Sequence, residues 1–219
     1  MRMPAIGFVL LLLAVLLATN CNAQPPWDNG RLVVSQNGRF LQHENGRPFF
    51  WQADTAWLLF QKLDRTEVET YLENRRAKSF NFIQAVMLQK SPKVNIYGDV
   101  PLVNDNPAEP QTTPGNNPQV QAEYDYWDHV DFVIDKAAEK HIYMAILPTW
   151  GNMVKDGRFT VQSAKSFAQW QIRSADVSQA DNRAGVTIES EQPGPEIRAT
   201  INCPKNRTVA WKIVFQNEL

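Results

Sequence analysis

Two short apolar runs on either side of a helical segment constrain this chain more than any other feature. Pro48 to Ala53 is apolar and aromatic and ends abruptly in Asp54, Thr55 and Trp57, and Phe82 to Leu88 is the second run. Between them the periodicity becomes helical. Asp64 or Thr66 suits an N-cap, with Glu67 or Glu69 three residues on as its reciprocal partner, and Val68, Tyr71, Leu72 and Arg75 fall at helical spacing. Arg75, Arg76 and Lys78 suit the negative end of that helix's dipole. A strand, a helix and a strand with short joints predict parallel pairing, because parallel neighbours need a crossover.

The grammar repeats once more. A helix is expected from about Glu123 to Lys140, with Tyr126, Trp127, Val130, Val133, Ile134 and Ala137 as its apolar stripe. Asp125, Asp128, Asp131 and Asp135 form its wet face, and His129 is a surface or satisfied core residue. Ile142 to Leu147 reads as a third strand closing in Pro148-Thr149-Trp150-Gly151, and Ser163 to Trp170 begins another helix. Between the second strand and the long helix, Gln89 to Gln121 is a proline-rich loop, and ordered loops of that length usually carry function.

The flanks follow different rules. Ser35-Gln36-Asn37-Gly38 and Asn45-Gly46 are turn signals, so Leu32–Val34 and Phe40–Gln42 form a hairpin suited to lid the bottom of a barrel. Beyond about Gln171, Gly185–Ser190, Glu196–Asn202 and Val209–Phe215 alternate apolar and polar residues, as antiparallel strands do. The expected fold is therefore α/β. It is an incomplete (β/α)8 TIM-barrel-like domain of about three βα units, with an N-terminal β-hairpin and a C-terminal antiparallel β-rich tail. The boundaries fall at 1–23, 24–170 and 171–219.

Residues 1–23 read as a signal peptide. Arg2 precedes an apolar stretch from Ile6 to Ala18, and Cys21-Asn22-Ala23 offers small residues before a cut at Gln24. The stretch is too short and wrongly flanked for a stable membrane span, so a secreted or periplasmic protein is expected. Acylation at Cys21, giving an outer-membrane lipoprotein, is the alternative; Asn20 is unfavourable before such a cysteine. Cleavage leaves Cys203 as the one cysteine, which precludes an intrachain disulfide. A formal charge of −1 gives no reason to expect a nucleic acid or acidic membrane partner. Three histidines without ligand spacing argue against zinc, and no cofactor is expected.

In a parallel α/β barrel, function sits at the C-terminal strand ends. Those ends supply Asp54 and Trp57, then Gln89, then Thr149 and Trp150, with Tyr97 in the loop able to reach over them. An indole stacks on the apolar face of a sugar ring while Asp or Gln accepts its hydroxyl protons. Asp54-Thr55 equally suits a helix cap, and Trp57 a core position. Glycoside hydrolysis needs two carboxylates, and Asp54 is the one carboxylate placed at a strand end. No catalytic pair is assigned.

Many of these segments resemble one family. Gly30-Arg31-Leu32-Val33-Val34-Ser35, Phe40 to Gly46, Pro48-Phe49-Phe50-Trp51 and Asp54 to Phe60 are similar to the N-terminal part of the apiosidase-like glycoside hydrolases, family 140. So are Tyr71 to Arg75, Asn95-Ile96-Tyr97-Gly98, Tyr126 to Asp131 and Lys136 to Lys140, in the same order over roughly Trp27 to Trp170. The resemblance implies a secreted (β/α)8 barrel that hydrolyses O-glycosides in plant pectic side chains, releasing apiose-capped sugars from rhamnogalacturonan II. It implies that Asp54, Trp57 and Trp150 face a cleft for a pectic oligosaccharide. The family's catalytic acids come from strands beyond the third, where this chain has its β-rich tail, so none is carried over. The expectation is a truncated family member inactive alone. The alternative is a non-catalytic carbohydrate-binding or surface protein with a C-terminal β-module.

Overall fold

The computed structural model describes residues 25–89 and 93–174, together with the backbone of three strands between 186 and 214. The expected signal segment, 1–23, and Cys203 lie outside the described residues. Among the described residues the strands form three sheets of three strands each.

The first sheet is antiparallel and holds β1 (Leu32–Val34), β2 (Leu41–His43) and β3 (Pro48–Phe49). Its first turn closes with the Gly38 amide on the Ser35 carbonyl at 2.8 Å, with Gly38 at φ 70, where a side chain would be strained. The apolar run expected as one strand is divided between two sheets. Pro48 and Phe49 pair with β2, the chain crosses over Phe50–Gln52, and β4 (Ala53–Thr55) begins the parallel sheet. The Asn81 side chain fixes that crossing: it donates to the Phe50 carbonyl at 2.6 Å and accepts the Gln52 amide at 3.0 Å.

The second sheet is parallel, in the order β4, β5 (Phe82–Leu88), β6 (Tyr143–Thr149). Its helices are α1 (Leu59–Lys62), α2 (Arg65–Ala77), α3 (Tyr126–Glu139), α4 (Gly151–Lys155) and α5 (Val161–Ser174). The two long crossover helices start on reciprocal caps. Asp64 accepts the Glu67 amide at 2.8 Å while Glu67 accepts the Asp64 amide at 3.0 Å, and Asp125 and Asp128 do the same for α3. Asp125 is consequently not on the wet face: it is 6% exposed and also accepts the Thr113 amide at 2.6 Å, tying the long loop to the helix.

Register decides which strand residues meet the helices. Asp54 lies opposite Ile83, and Ile83 opposite Met144, so these share a face with Ala85, Met87 and Ile146. That face packs against Leu59, Phe60, Val68, Leu72, Val130, Val133 and Phe167 in one apolar cluster. Each large side chain fully buried there contributes about 1.5–3 kcal/mol. The first sheet sits beneath the N-terminal ends of the parallel strands. Trp51 stacks on Phe82 at 3.7 Å between ring centroids, and Phe49 and Trp27 meet Tyr143 edge-on at 5.6 and 5.7 Å.

The third sheet is antiparallel, as the alternation predicts: β7 (Val186–Glu189), β8 (Glu196–Asn202) and β9 (Thr208–Val214) in sequence order. The backbone of β9 comes close to β6, and that of β8 close to α5. No helix among the described residues is long and apolar enough to cross a membrane.

Candidate functional site

At the C-terminal end of the parallel sheet the β4–β5 ladder stops before the β5–β6 ladder does. The Ala56 amide donates to the Gln84 carbonyl at 2.8 Å and the Val86 amide reaches the Trp57 carbonyl at 3.4 Å. The chain then turns away into α1, with the Leu59 amide on the Ala56 carbonyl at 3.0 Å. Trp57 is left half-buried at the corner. β5 and β6 stay paired two residues further, to Leu88 opposite Thr149, and Trp150 follows. Ligands of open α/β sheets bind in a crevice outside the carboxyl ends of the strands, which is this end of the sheet.

Four of the six residues singled out in the sequence meet there. The Trp57 and Trp150 rings lie 4.8 Å apart between centroids at 63° to one another, an edge-to-face corner. Gln89 donates its side-chain amide to the Trp57 carbonyl at 3.2 Å, which makes its oxygen the group it presents. The Thr149 hydroxyl donates to the Leu88 carbonyl at 3.4 Å. Two indoles at an angle offer flat apolar surface, and the amide oxygen and hydroxyl beside them supply polar contacts.

Asp54 is placed differently. Sharing a face with Ile83, it points to the helix layer, where its Oδ2 accepts the Tyr71 hydroxyl at 2.9 Å and the Arg75 Nε–H. Its Oδ1 accepts the Thr55 amide at 2.8 Å, satisfying a donor on the outer edge of β4. Partial burial pushes the carboxyl up, but the Arg75 guanidinium, the Tyr71 hydroxyl and the Thr55 amide together bring it below its ordinary value of 3.8. Burial and the Asp54 carboxylate push Tyr71 up to about 12. Asp54 thus fastens β4 to α2, a third arrangement beside the ligand and helix-cap readings.

Tyr97 also has a structural setting. Its hydroxyl accepts the Arg65 amide at 2.9 Å, at the start of α2, and its ring meets His129 and Tyr124 edge-on at 5.3 and 6.2 Å. His129 is fully buried, with Nε2 3.0 Å from the Leu63 carbonyl and Nδ1 without a partner among the described residues. Burial lowers its pKa from the ordinary 6.5, against the opposing effect of the Leu63 carbonyl.

Gln61, which sequence reasoning passed over, and Tyr126, read there as apolar stripe, meet the end of β5. Gln61 of α1, 3% exposed, donates its Nε2 to the Met87 carbonyl at 2.9 Å and the Tyr126 hydroxyl at 2.6 Å, with the Val86 carbonyl sharing one of these two protons at 3.3 Å. That hydroxyl in turn donates to the Met87 carbonyl at 2.5 Å. The available signal was a lone amide between Leu58-Leu59-Phe60 and Leu63, in a run otherwise suited to burial. Among the described residues, no cluster of three or more His, Cys, Asp or Glu is placed to hold a metal ion.

Comparison with known proteins bears on the same region. A family described as apiosidase-like, catalytic domain, matches residues 35–174. A solved structure of a glycoside hydrolase is similar at 39% identity and a TM-score of 0.57, covering 68% of this chain and 32% of that one. A crystal structure of a glycoside hydrolase family 5 protein from Bacteroides vulgatus is similar at 37% identity and a TM-score of 0.57, covering 68% and 31% respectively. No curated protein matches. The chain spans about a third of the length of these structures. Its mixed α/β fold and its segments from the first turn to α5 place this chain in the apiosidase-like glycoside hydrolase family.

Proposed function

We propose that the crevice at the ends of β4, β5 and β6 binds the glycan of an apiosidase-like glycoside hydrolase of family 140, a plant pectic oligosaccharide. The carrying observation is the Trp57–Trp150 corner, 4.8 Å between centroids, at the end of a parallel sheet in a chain of this family. Trp57 and Trp150 stack on sugar, and Gln89 and Thr149 contact its hydroxyls. Tyr97 stands at the rim and Asp54 behind the crevice. The parallel sheet supports this reading, since the ligands of α/β folds sit at the C-terminal end of such strands.

Hydrolysis requires an acid and a second carboxylate flanking the scissile bond. The Asp54 carboxylate is committed to Tyr71 and Arg75. We place the hydrolytic pair in the part of the relatives that this chain does not match, so this chain alone binds without hydrolysing. We further propose that residues 1–23 direct export, which brings the protein to polymeric pectin.

Titration of the purified protein with rhamnogalacturonan II oligosaccharides, followed by tryptophan fluorescence, tests the reading. Saturable quenching is expected, and Trp150→Ala should weaken binding by roughly 5- to 150-fold, since one aromatic stack contributes roughly 1–3 kcal/mol. No quenching at millimolar sugar overturns the site. Release of free sugar by the purified protein overturns the assignment of hydrolysis elsewhere.

A further inference from the structure

The β4–β5 ladder ends where α1 begins, and the Val86 carbonyl then lacks a strand donor on that side. In parallel pairing the N–H and C=O of one residue point to the same neighbour. The Ala56 amide reaches the Gln84 carbonyl and the Val86 amide reaches the Trp57 carbonyl, so the carbonyls of Gln84 and Val86 both point towards β4. Beyond Trp57 the chain has left the sheet, and no backbone amide of β4 follows to serve Val86. The Gln61 side-chain amide reaches that carbonyl at 3.3 Å and also donates to the Met87 carbonyl, on the β6 side, at 2.9 Å. Tyr126 closes the arrangement from α3 by accepting from Gln61 at 2.6 Å and donating to Met87 at 2.5 Å.

From this we infer that Gln61 and Tyr126 are positioning residues for the crevice. Their polar bridge from α1 and α3 to the end of β5 sets where Trp57 and Gln89 stand relative to Trp150. The chemistry is specific. Gln61 is 3% exposed and Tyr126 1% exposed, both within or beside the apolar cluster, and the Gln61 Oε1 has no partner among the described residues. Packing alone favours a leucine or methionine at Gln61, because an apolar residue there leaves no orphaned oxygen. The amide is explained by the carbonyls that it reaches. Those carbonyls lie two and three residues before Gln89, whose amide holds the Trp57 carbonyl at 3.2 Å. Trp57 itself lies four residues before Gln61, in the turn that leads into α1. Loss of the bridge unties Val86 and Met87 from α1 and α3, while the backbone register of β5 and β6 through Leu88 and Thr149 remains. The displacement therefore falls on the Trp57–Trp150 distance and leaves the sheet intact.

This inference rests on the proposed sugar site for its function, but its geometry can be read without sugar. Two indoles in close contact give an exciton couplet in the far-ultraviolet circular dichroism. Trp127 and Trp170, 4.5 Å apart in the core, also contribute. The Trp57–Trp150 component is therefore the difference between each protein and its Trp150→Phe counterpart. The variants are Gln61→Met, which matches the volume without donors, and Tyr126→Phe, which removes the hydroxyl alone. Expected results are a difference couplet reduced by about half or more in both, with a cooperative melt retained, and sugar binding weakened roughly tenfold. An unchanged couplet in the folded Tyr126→Phe and Gln61→Met proteins overturns the positioning role. A reduced couplet in variants of a protein that binds no sugar upholds the geometry and overturns the binding reading instead. If Gln61→Met does not fold, Tyr126→Phe decides the matter by itself.

Discussion

Replacing Asp54 with alanine removes three hydrogen bonds at once: those from the Tyr71 hydroxyl, the Arg75 Nε and the Thr55 amide. Two of the donors are side chains of α2, so the loss falls on the joint between β4 and the first crossover helix. The carboxylate side chain is 27% exposed and the guanidinium 26%, which lets water replace part of what is lost. Hydrogen bonds to a charged group contribute about 1.5–3 kcal/mol when well shielded, so we expect Asp54→Ala to destabilise by about 2 kcal/mol in all. For a domain of this size that lowers Tm by roughly 4–8 °C. Asp54→Asn, which keeps an acceptor for Tyr71 but not the charge opposite Arg75, should lose about half as much. The pH dependence has a definite sign. A carboxyl held below 3.8 contributes stability that is present above that value and lost as pH falls through its lowered folded value. Wild type should therefore lose its advantage over Asp54→Asn in that acidic window. Thermal melts followed by circular dichroism at neutral and acidic pH measure both effects. An Asp54→Ala protein that melts with wild type yet loses sugar binding would refute the reasoning, because it would put the carboxylate on ligand.

Two further outcomes follow from buried and strained positions. His129 is fully buried with its pKa below 6.5, so its contribution is complete above pH 6.5 and lost as pH falls through the lowered value. Urea midpoints of wild type should fall over that range more steeply than those of His129→Gln, and parallel profiles would rule the effect out. Gly30, at φ 88 and ψ −179, occupies backbone space nearly reserved for glycine, and an added Cβ would lie 2.8 Å from the Glu44 Cβ. Gly30→Ala should destabilise by about 1–3 kcal/mol. Faster hydrogen exchange at the Glu44 amide, which donates to the Arg31 carbonyl at 3.0 Å, would register the loosened first sheet, and unchanged exchange would refute it.

Much of the architecture was legible because it rests on local rules. Phe82–Leu88 is a strand with the bounds its apolar run predicts, and Asp64 with Glu67 forms the predicted capping box. The antiparallel tail follows from its alternation. The division of the run from Pro48 to Ala53 was not legible. Periodicity carries no sign of a change of partner, and the change is held by the distant Asn81 side chain. Asp125 read as surface because its position on the helical wheel is polar, yet its cap function and the Thr113 amide draw it inside.

The sequence by itself determined that Trp57, Gln89, Thr149 and Trp150 stand near one end of one sheet, although the first and third strands run two residues past their expected ends, to Thr55 and Thr149. That follows because side-chain chemistry and turn signals mark where an element stops. Which way a residue near such an end points was decided by the tertiary structure alone. Strand alternation fixes only that neighbours face opposite sides, and the sides acquire meaning when Asp54 lies opposite Ile83 and meets Tyr71 and Arg75. The same holds for Gln61. Its amide belongs in the core because a ladder ends beside it, and where a ladder ends is settled by two strands, not one.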